Sequence, residues 1–115
     1  MTPADRCDVN RLNGIHAELR VAENYQRCGF TLLEQRYRKR SGEIDLIFKH
    51  KERLYFVEVK RGPDHATALS YIQPNQIARI QKTVFEYLAQ HDLPLETDMR
   101  LDAVSYTHLT LPTKA

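Results

Sequence analysis

Two strand-like runs, Glu43 to Lys49 and Leu54 to Lys60 in SGEIDLIFKHKERLYFVEVKRG, constrain this chain more than any other stretch. They are joined by a short polar bend, so an antiparallel hairpin is the natural pairing. Closing it through His50 to Arg53 sets Lys49 opposite Leu54, Ile47 opposite Phe56 and Asp45 opposite Glu58. Period two then places Lys60 on the same face as Glu58. Two acids and a lysine therefore gather where a packed sheet wants apolar side chains, and burying them without compensation is expensive.

The flanks supply the rest of a domain. From about Arg11 to Cys28 the spacing is helical: Ile15, Ala17, Val21, Ala22, Tyr25 and Cys28 fall on one arc, with His16, Arg20, Glu23 and Arg27 opposite. Gly29 supplies the stop. Glu18 projects near the middle of the apolar arc, which calls either for a cationic or hydrogen-bonding partner or for a position at the helix end that reaches water. Phe30 to Tyr37 reads as a first strand and RKRSG as a basic loop. Gly62 to Ile72 has no clean period and reads as a loop. Pro74 opens a second helix running to about Gln90, with Ile77, Ile80, Val84, Phe85 and Leu88 as its apolar face and Arg79, Lys82 and Glu86 outward. HDLPLETD is a connector, and Met99 to Ala103 reads as a further strand. The order helix-strand-strand-strand-helix-strand predicts an α/β fold, a mixed β-sheet with flanking helices.

Composition narrows the setting. At 115 residues, 42% hydrophobic and 28% charged, the chain suits one globular domain. No apolar run approaches the roughly 20 residues that span a bilayer. The polar start MTPADRCDVNRLNG lacks a secretory h-region, and Cys7 and Cys28 have no motif spacing, so free thiols and a cytoplasmic address are the expectation. We divide the chain into a loose arm over 1–10, a single domain over 11–103, and a tail over 104–115. VSYTHLTLPT in that tail matches one reading frame of a common sequencing adapter, so the tail is expected not to be native. The net charge of +2 says little, but its distribution says more. Arg36, Arg38, Lys39 and Arg40 crowd ahead of the hairpin, and Lys49, Lys51, Arg53, Lys60 and Arg61 continue through it. That concentration suits a polyanion, or else is a solvated basic surface.

Two like carboxylates across a strand pair repel unless a cation sits between them. One solution is a divalent metal, and oxygen-only ligands favour Mg²⁺ or Mn²⁺ over zinc. Such an ion suits phosphodiester hydrolysis, with Lys60 orienting the attacking water and neutralising charge that builds on phosphate. The other solution is an ion-paired network of Asp45, Glu58 and Lys60 at a strand edge, with no chemistry attached. The scattered His16, His50, His65 and His91 are expected to be surface residues.

GEIDLI followed by FVEVK, in Gly42 to Ile47 and Phe56 to Lys60, resembles the PD-(D/E)xK nuclease signature. More closely, the chain resembles the YraN-like family of bacterial predicted endonucleases, related in fold to Holliday junction resolvases. The match runs over most of Arg11 to Ala103. It includes Ala17, Glu18 and Ala22, then Gly29 and Phe30, Arg36-Tyr37-Arg38, and the central motif. Pro74, Gln76, Arg79 and Ile80, and Arg100-Leu101-Asp102, complete it.

The resemblance implies a restriction-endonuclease-like core and a nuclease acting on DNA, on branched or repair intermediates. Its metal ligands would be Asp45, Glu58 and Glu18, its catalytic lysine Lys60, and its cofactor Mg²⁺ or Mn²⁺. Gln76 would be an accessory residue, and Arg36, Arg38, Lys39, Arg40 and Arg61 candidate phosphate contacts. It also implies a homodimer, because symmetric junctions need two cuts. The proline of the signature is absent, and Glu43 before Ile44 is expected to face outward. The alternative from another class is a protein of nuclease fold that binds nucleic acid or a repair partner without cutting.

Overall fold

The computed structural model describes residues 9–107, with side chains from residue 16 onward. Helix α1 (Val9–Arg27) leads into β1 (Thr31–Lys39), β2 (Gly42–His50) and β3 (Arg53–Arg61). A short helix α2 (His65–Ser70) and a long one, α3 (Pro74–Gln90), cross to β4 (Met99–Tyr106). The sheet has the order β1-β2-β3-β4, antiparallel except for the parallel β3–β4 pair. A mixed sheet with flanking helices is thus present. The central hairpin adopts the expected register, Ile47 against Phe56 and Lys49 against Leu54.

Each face of the sheet has its own core. On one side α1 lays Val21 and Ala22 onto Leu46, Phe48 and Val57, with Tyr25, Phe30 and Tyr55 packed at the margin. Tyr25 stacks on Phe48 with ring centroids 4.5 Å apart. On the other side α3 lays Ile80, Val84, Tyr87 and Leu88 onto Tyr37, Ile44, Ile47, Leu54 and Phe56. Burial on both faces explains why the hairpin reads as nearly continuous apolar runs, and each such side chain contributes roughly 1.5–3 kcal/mol. Gly29 ends the first helical segment at φ +94°, a left-handed conformation that glycine adopts without Cβ strain. Gly42 matters for a different reason: a Cβ there would meet Thr83 Oγ1 at 3.1 Å and Arg79 Cβ at 3.4 Å, so its small size lets β2 start close against α3.

The segment expected to be a loop after Gly62 contains α2. Asp64 caps it by accepting from the Thr67 backbone N–H at 2.8 Å, a local bond that outweighs the weak apolar pattern. On α3 the buried side is Ile80, Thr83, Val84, Tyr87 and Leu88, whereas Ile77 and Phe85 are exposed. Helix α1 begins at Val9, two residues inside the expected arm, and β4 continues past Ala103 to Tyr106. The remainder of the arm and the tail from 108 lie outside the described residues. Among the described residues, no helix is long and apolar enough to cross a membrane, and Cys28 is an exposed free thiol.

Candidate active site

The β2–β3 ladder is regular from the turn to the Leu46–Val57 pair. At the next position the backbone pairing gives way to a side chain: Asp45 Oδ2 accepts from the Val59 N–H at 2.7 Å. Ile44 and Ile47, three residues apart, share one core, so the period-two alternation of β2 breaks across Asp45 and Leu46. The neighbouring strand breaks at the same level. Arg36, between the Gln35–Leu46 and Tyr37–Ile44 pairs, has φ +51°, a left-handed conformation that costs a non-glycine residue roughly 1–2 kcal/mol. The sheet therefore forks locally, and the polar cluster sits at the fork.

Glu58 lies on β3 facing α3 and is only 7% exposed. Its Oε2 accepts from Gln76 Nε2 at 2.7 Å and lies 3.2 Å from Lys60 Nζ. Gln76 arrives from the first turn of α3 and Lys60 from the end of β3, so side chains of two elements meet at one carboxylate. Asp45 is within hydrogen-bonding reach of Glu58 on one side and of Glu18 on the other. Glu18 comes from α1, as expected of an acid on the apolar arc, and Arg36 Nη1 stands 3.6 Å from its Oε1.

The electrostatics follow from this crowding. Burial, then the Asp45 charge, push Glu58 up to about 7. Glu18 is pushed up to about 7 by the same two causes in the same order, with Arg36 opposing. Burial also raises Asp45, although the Val59 N–H favours its ionised form. The cluster is thus carboxylate-rich, largely dehydrated and undercompensated by local cations, the condition under which a divalent cation is held well. Among the described residues, however, no group of three or more His, Cys, Asp or Glu side chains is arranged to hold a metal ion. The donor chemistry fits Mg²⁺ or Mn²⁺ through Asp45 and Glu58, with Glu18 reaching Asp45 from the side.

A cavity of about 300 Å³, lined by Gly42, Glu43, Asp45, Glu58, Gln76 and Arg79, opens onto this cluster. Glu43 and Arg79 were expected to face outward. Glu43 instead turns toward the cavity because Arg38 Nη2 at 2.9 Å and Arg36 Nε at 3.6 Å hold it there. Arg79 is exposed, as expected, and also borders the cavity, one helical turn beyond Gln76, a placement that the i,i+3 spacing could have signalled. Of the candidate phosphate contacts, Arg36 and Arg38 are thus ion-paired at the cavity rim. Lys39 and Arg40 are exposed on the strand end and turn beside it, with Lys39 Nζ 5.3 Å from the Tyr37 ring centroid. Arg61 is half-buried next to Lys60.

Fold and site together define a class: an α/β protein whose four-stranded mixed sheet carries an acid–lysine cluster where two strands part. A model described as "Uncharacterised protein family UPF0102" matches residues 17–106. A UPF0102 protein of Ruegeria pomeroyi is 38% identical over 99 residues, covering 86% of this chain and 80% of that protein. One from Chloroflexus aurantiacus is 36% identical over 90 residues, covering 78% and 74%. The chain belongs to the UPF0102 family, the YraN-like proteins.

Proposed function

We propose that this UPF0102 protein is a divalent-metal-dependent nuclease of the restriction-endonuclease-like class that hydrolyses phosphodiester bonds in DNA, on branched or repair intermediates. One observation carries the reading: Glu58 is buried against Asp45 while Lys60 and Gln76 both address its Oε2 at the mouth of an open polar cavity. A structural ion pair has no need of two dehydrated carboxylates in contact, because that contact destabilises the fold unless something else is bound.

Asp45 and Glu58 would hold Mg²⁺ or Mn²⁺, and the bound ion would supply Lewis-acid polarisation and a water of lowered pKa. Lys60 donates toward the developing charge on the phosphate oxygens and orients the attacking water against the Glu58 carboxylate. Gln76 fixes the rotamer of Glu58, and Asp45 is aimed by the Val59 N–H. Arg79, with the rim residues Arg36 and Arg38, lies where the flanking phosphates would run, and exchange of the Glu43 carboxylate that Arg36 and Arg38 share for phosphate preserves charge-assisted hydrogen bonding.

The test is cleavage of linear, nicked, single-stranded and four-way DNA with Mn²⁺ by wild type, Glu58→Gln and Lys60→Ala. Metal-dependent cutting by wild type that both variants lose supports the reading. Absence of cutting by wild type, or equal cutting by all three, refutes it for those substrates. A second reading is favoured by the lack of a closed three-ligand group among the described residues: a nuclease-fold protein that binds DNA at the same rim without cutting. It predicts salt-dependent DNA binding that survives Glu58→Gln, with no cleavage of any substrate.

A further inference from the structure

The cations around the cavity are not in the same state. Arg79 on α3 and Lys39 and Arg40 beside the rim are exposed and, among the described residues, form no ion pair. Arg36 and Arg38 on β1 are instead both held by Glu43. Arg38 donates to Glu43 Oε1 from Nε at 3.2 Å and from Nη2 at 2.9 Å, while Arg36 Nε stands 3.6 Å from Oε2. Each oxygen of one carboxylate thus meets its own guanidinium.

An anion oxygen gripped by the fork of an arginine is also how a backbone phosphate is taken. Glu43 differs from a phosphate in being tethered. It lies directly across from Arg38 in the β1–β2 ladder, so the sheet register delivers its carboxylate to the guanidinium. A tethered anion gives up no translational freedom on binding, whereas a phosphate arriving from solution does. The Glu43 side chain is 27% exposed and that of Arg38 71%, so the carboxylate is partly withdrawn from water while the arginine stays open to approach. Detaching Glu43 leaves its charge in the cavity that Asp45 and Glu58 also line, where like charges repel.

We propose that Glu43 is a specificity-determining residue, an intramolecular stand-in for a backbone phosphate that competes with DNA for Arg36 and Arg38. The identity of the displacing anion as DNA rests on the function proposed above. Arg79, Lys39 and Arg40 give a strand its first hold without opposition. Engaging Arg36 and Arg38 as well requires the strand to evict Glu43. Phosphate contacts supply affinity without regard to sequence, and Glu43 weakens that share of binding. Contacts at Asp45, Glu58 and Lys60 then weigh more in deciding which strand is retained. A purely structural ion pair predicts no such competition, because its loss only loosens two arginine side chains.

Fluorescence anisotropy with a labelled duplex oligonucleotide in EDTA reads binding apart from metal-dependent cleavage. Glu43→Gln keeps the size of the side chain and removes its charge, and should bind roughly fivefold tighter than wild type. The slope of log K against log salt should steepen by about one to two, since each arginine released to a phosphate adds roughly 0.9. Glu96→Gln makes the same charge change in the connector ahead of Met99, at the turn end of the sheet, and should bind like wild type. Adding Arg38→Ala should remove most of the Glu43→Gln gain, whereas adding Arg79→Ala should weaken wild type and Glu43→Gln by the same factor. Melting temperatures confirm that each variant is folded. Unchanged or weaker binding by Glu43→Gln, a gain matched by Glu96→Gln, or a gain undiminished by Arg38→Ala overturns the proposal and leaves the nuclease reading standing. No binding by any of these proteins overturns both. Tighter, Arg38-dependent binding by Glu43→Gln supports the competitor even where wild type with Mn²⁺ cuts nothing, an outcome that removes the nuclease reading alone.

Discussion

The two halves of the β2–β3 hairpin are only a few residues apart and obey different rules. In the turn half, Leu46 to His50 pair in unbroken register with Arg53 to Val57, and Leu46, Ile47, Phe48, Phe56 and Val57 are almost wholly buried. In the forked half the ladder ends, Arg36 on the neighbouring strand is left-handed, and three carboxylates crowd together. The turn half lowers the free energy of the fold and the forked half raises it. Strain and charge are tolerated at the fork because the regular half, packed by helices on both faces, holds the strands in place.

Substitutions should separate the halves. Phe56→Ala in the turn half removes a side chain that is 1% exposed and contacts the α3 core, and is expected to cost about 3–5 kcal/mol in urea unfolding. Lys60→Ala in the forked half should reduce cleavage by about a hundredfold or more, close to 3 kcal/mol of transition-state stabilisation, while shifting the unfolding midpoint far less. Equal stability losses in the two variants would erase the distinction between the halves.

A pH series sharpens it further. Glu18 and Glu58 are each raised in the folded state from 4.5 to about 7. A raised folded value means that the native state binds the extra protons, so this contribution to stability is complete below about pH 4.5 and is lost as pH rises through about 7. The metal-free protein should therefore melt at a higher temperature at pH 5 than at pH 8, and Glu58→Gln should flatten that slope. A metal-free melting temperature that rises over the same interval would contradict the stated cause. The smallest effect is expected at Arg36→Gly. Relief of the left-handed backbone contributes about 1 kcal/mol, and the half-exposed ion pairs to Glu18 and Glu43 that are lost are each worth less than that, so stability should stay level or rise slightly.

The turn half was legible in the sequence because its two signals, alternating apolar runs and a short polar bend, are local and agree. Its register follows from them without further information. The composition of the site was legible for the same reason, since Asp45, Glu58 and Lys60 stand out against apolar neighbours and Glu18 stands out on its helix arc. The fork was not. Period two sets Asp45 and Glu58 side by side on one face, whereas Asp45 sits where the alternation fails and links Glu58 to Glu18. Arginine is not a residue type that signals a left-handed backbone, so nothing local announces the break at Arg36. Glu43 was missed because its orientation depends on Arg36 and Arg38, which β1 supplies. Phe85 looked like core because helical spacing alone does not reveal that it lines an open groove between α3 and β4.

The central claim is that the forked half is a divalent-metal site built for phosphodiester hydrolysis, and the most direct measurement is the thermal shift on Mn²⁺ addition at pH 8 for wild type and Asp45→Asn. At ten times the dissociation constant, wild type should gain about 1.4 kcal/mol, a rise of roughly 5 to 10 °C in melting temperature. Asp45→Asn should gain almost nothing. No shift in wild type, or the same shift in both proteins, would contradict the claim.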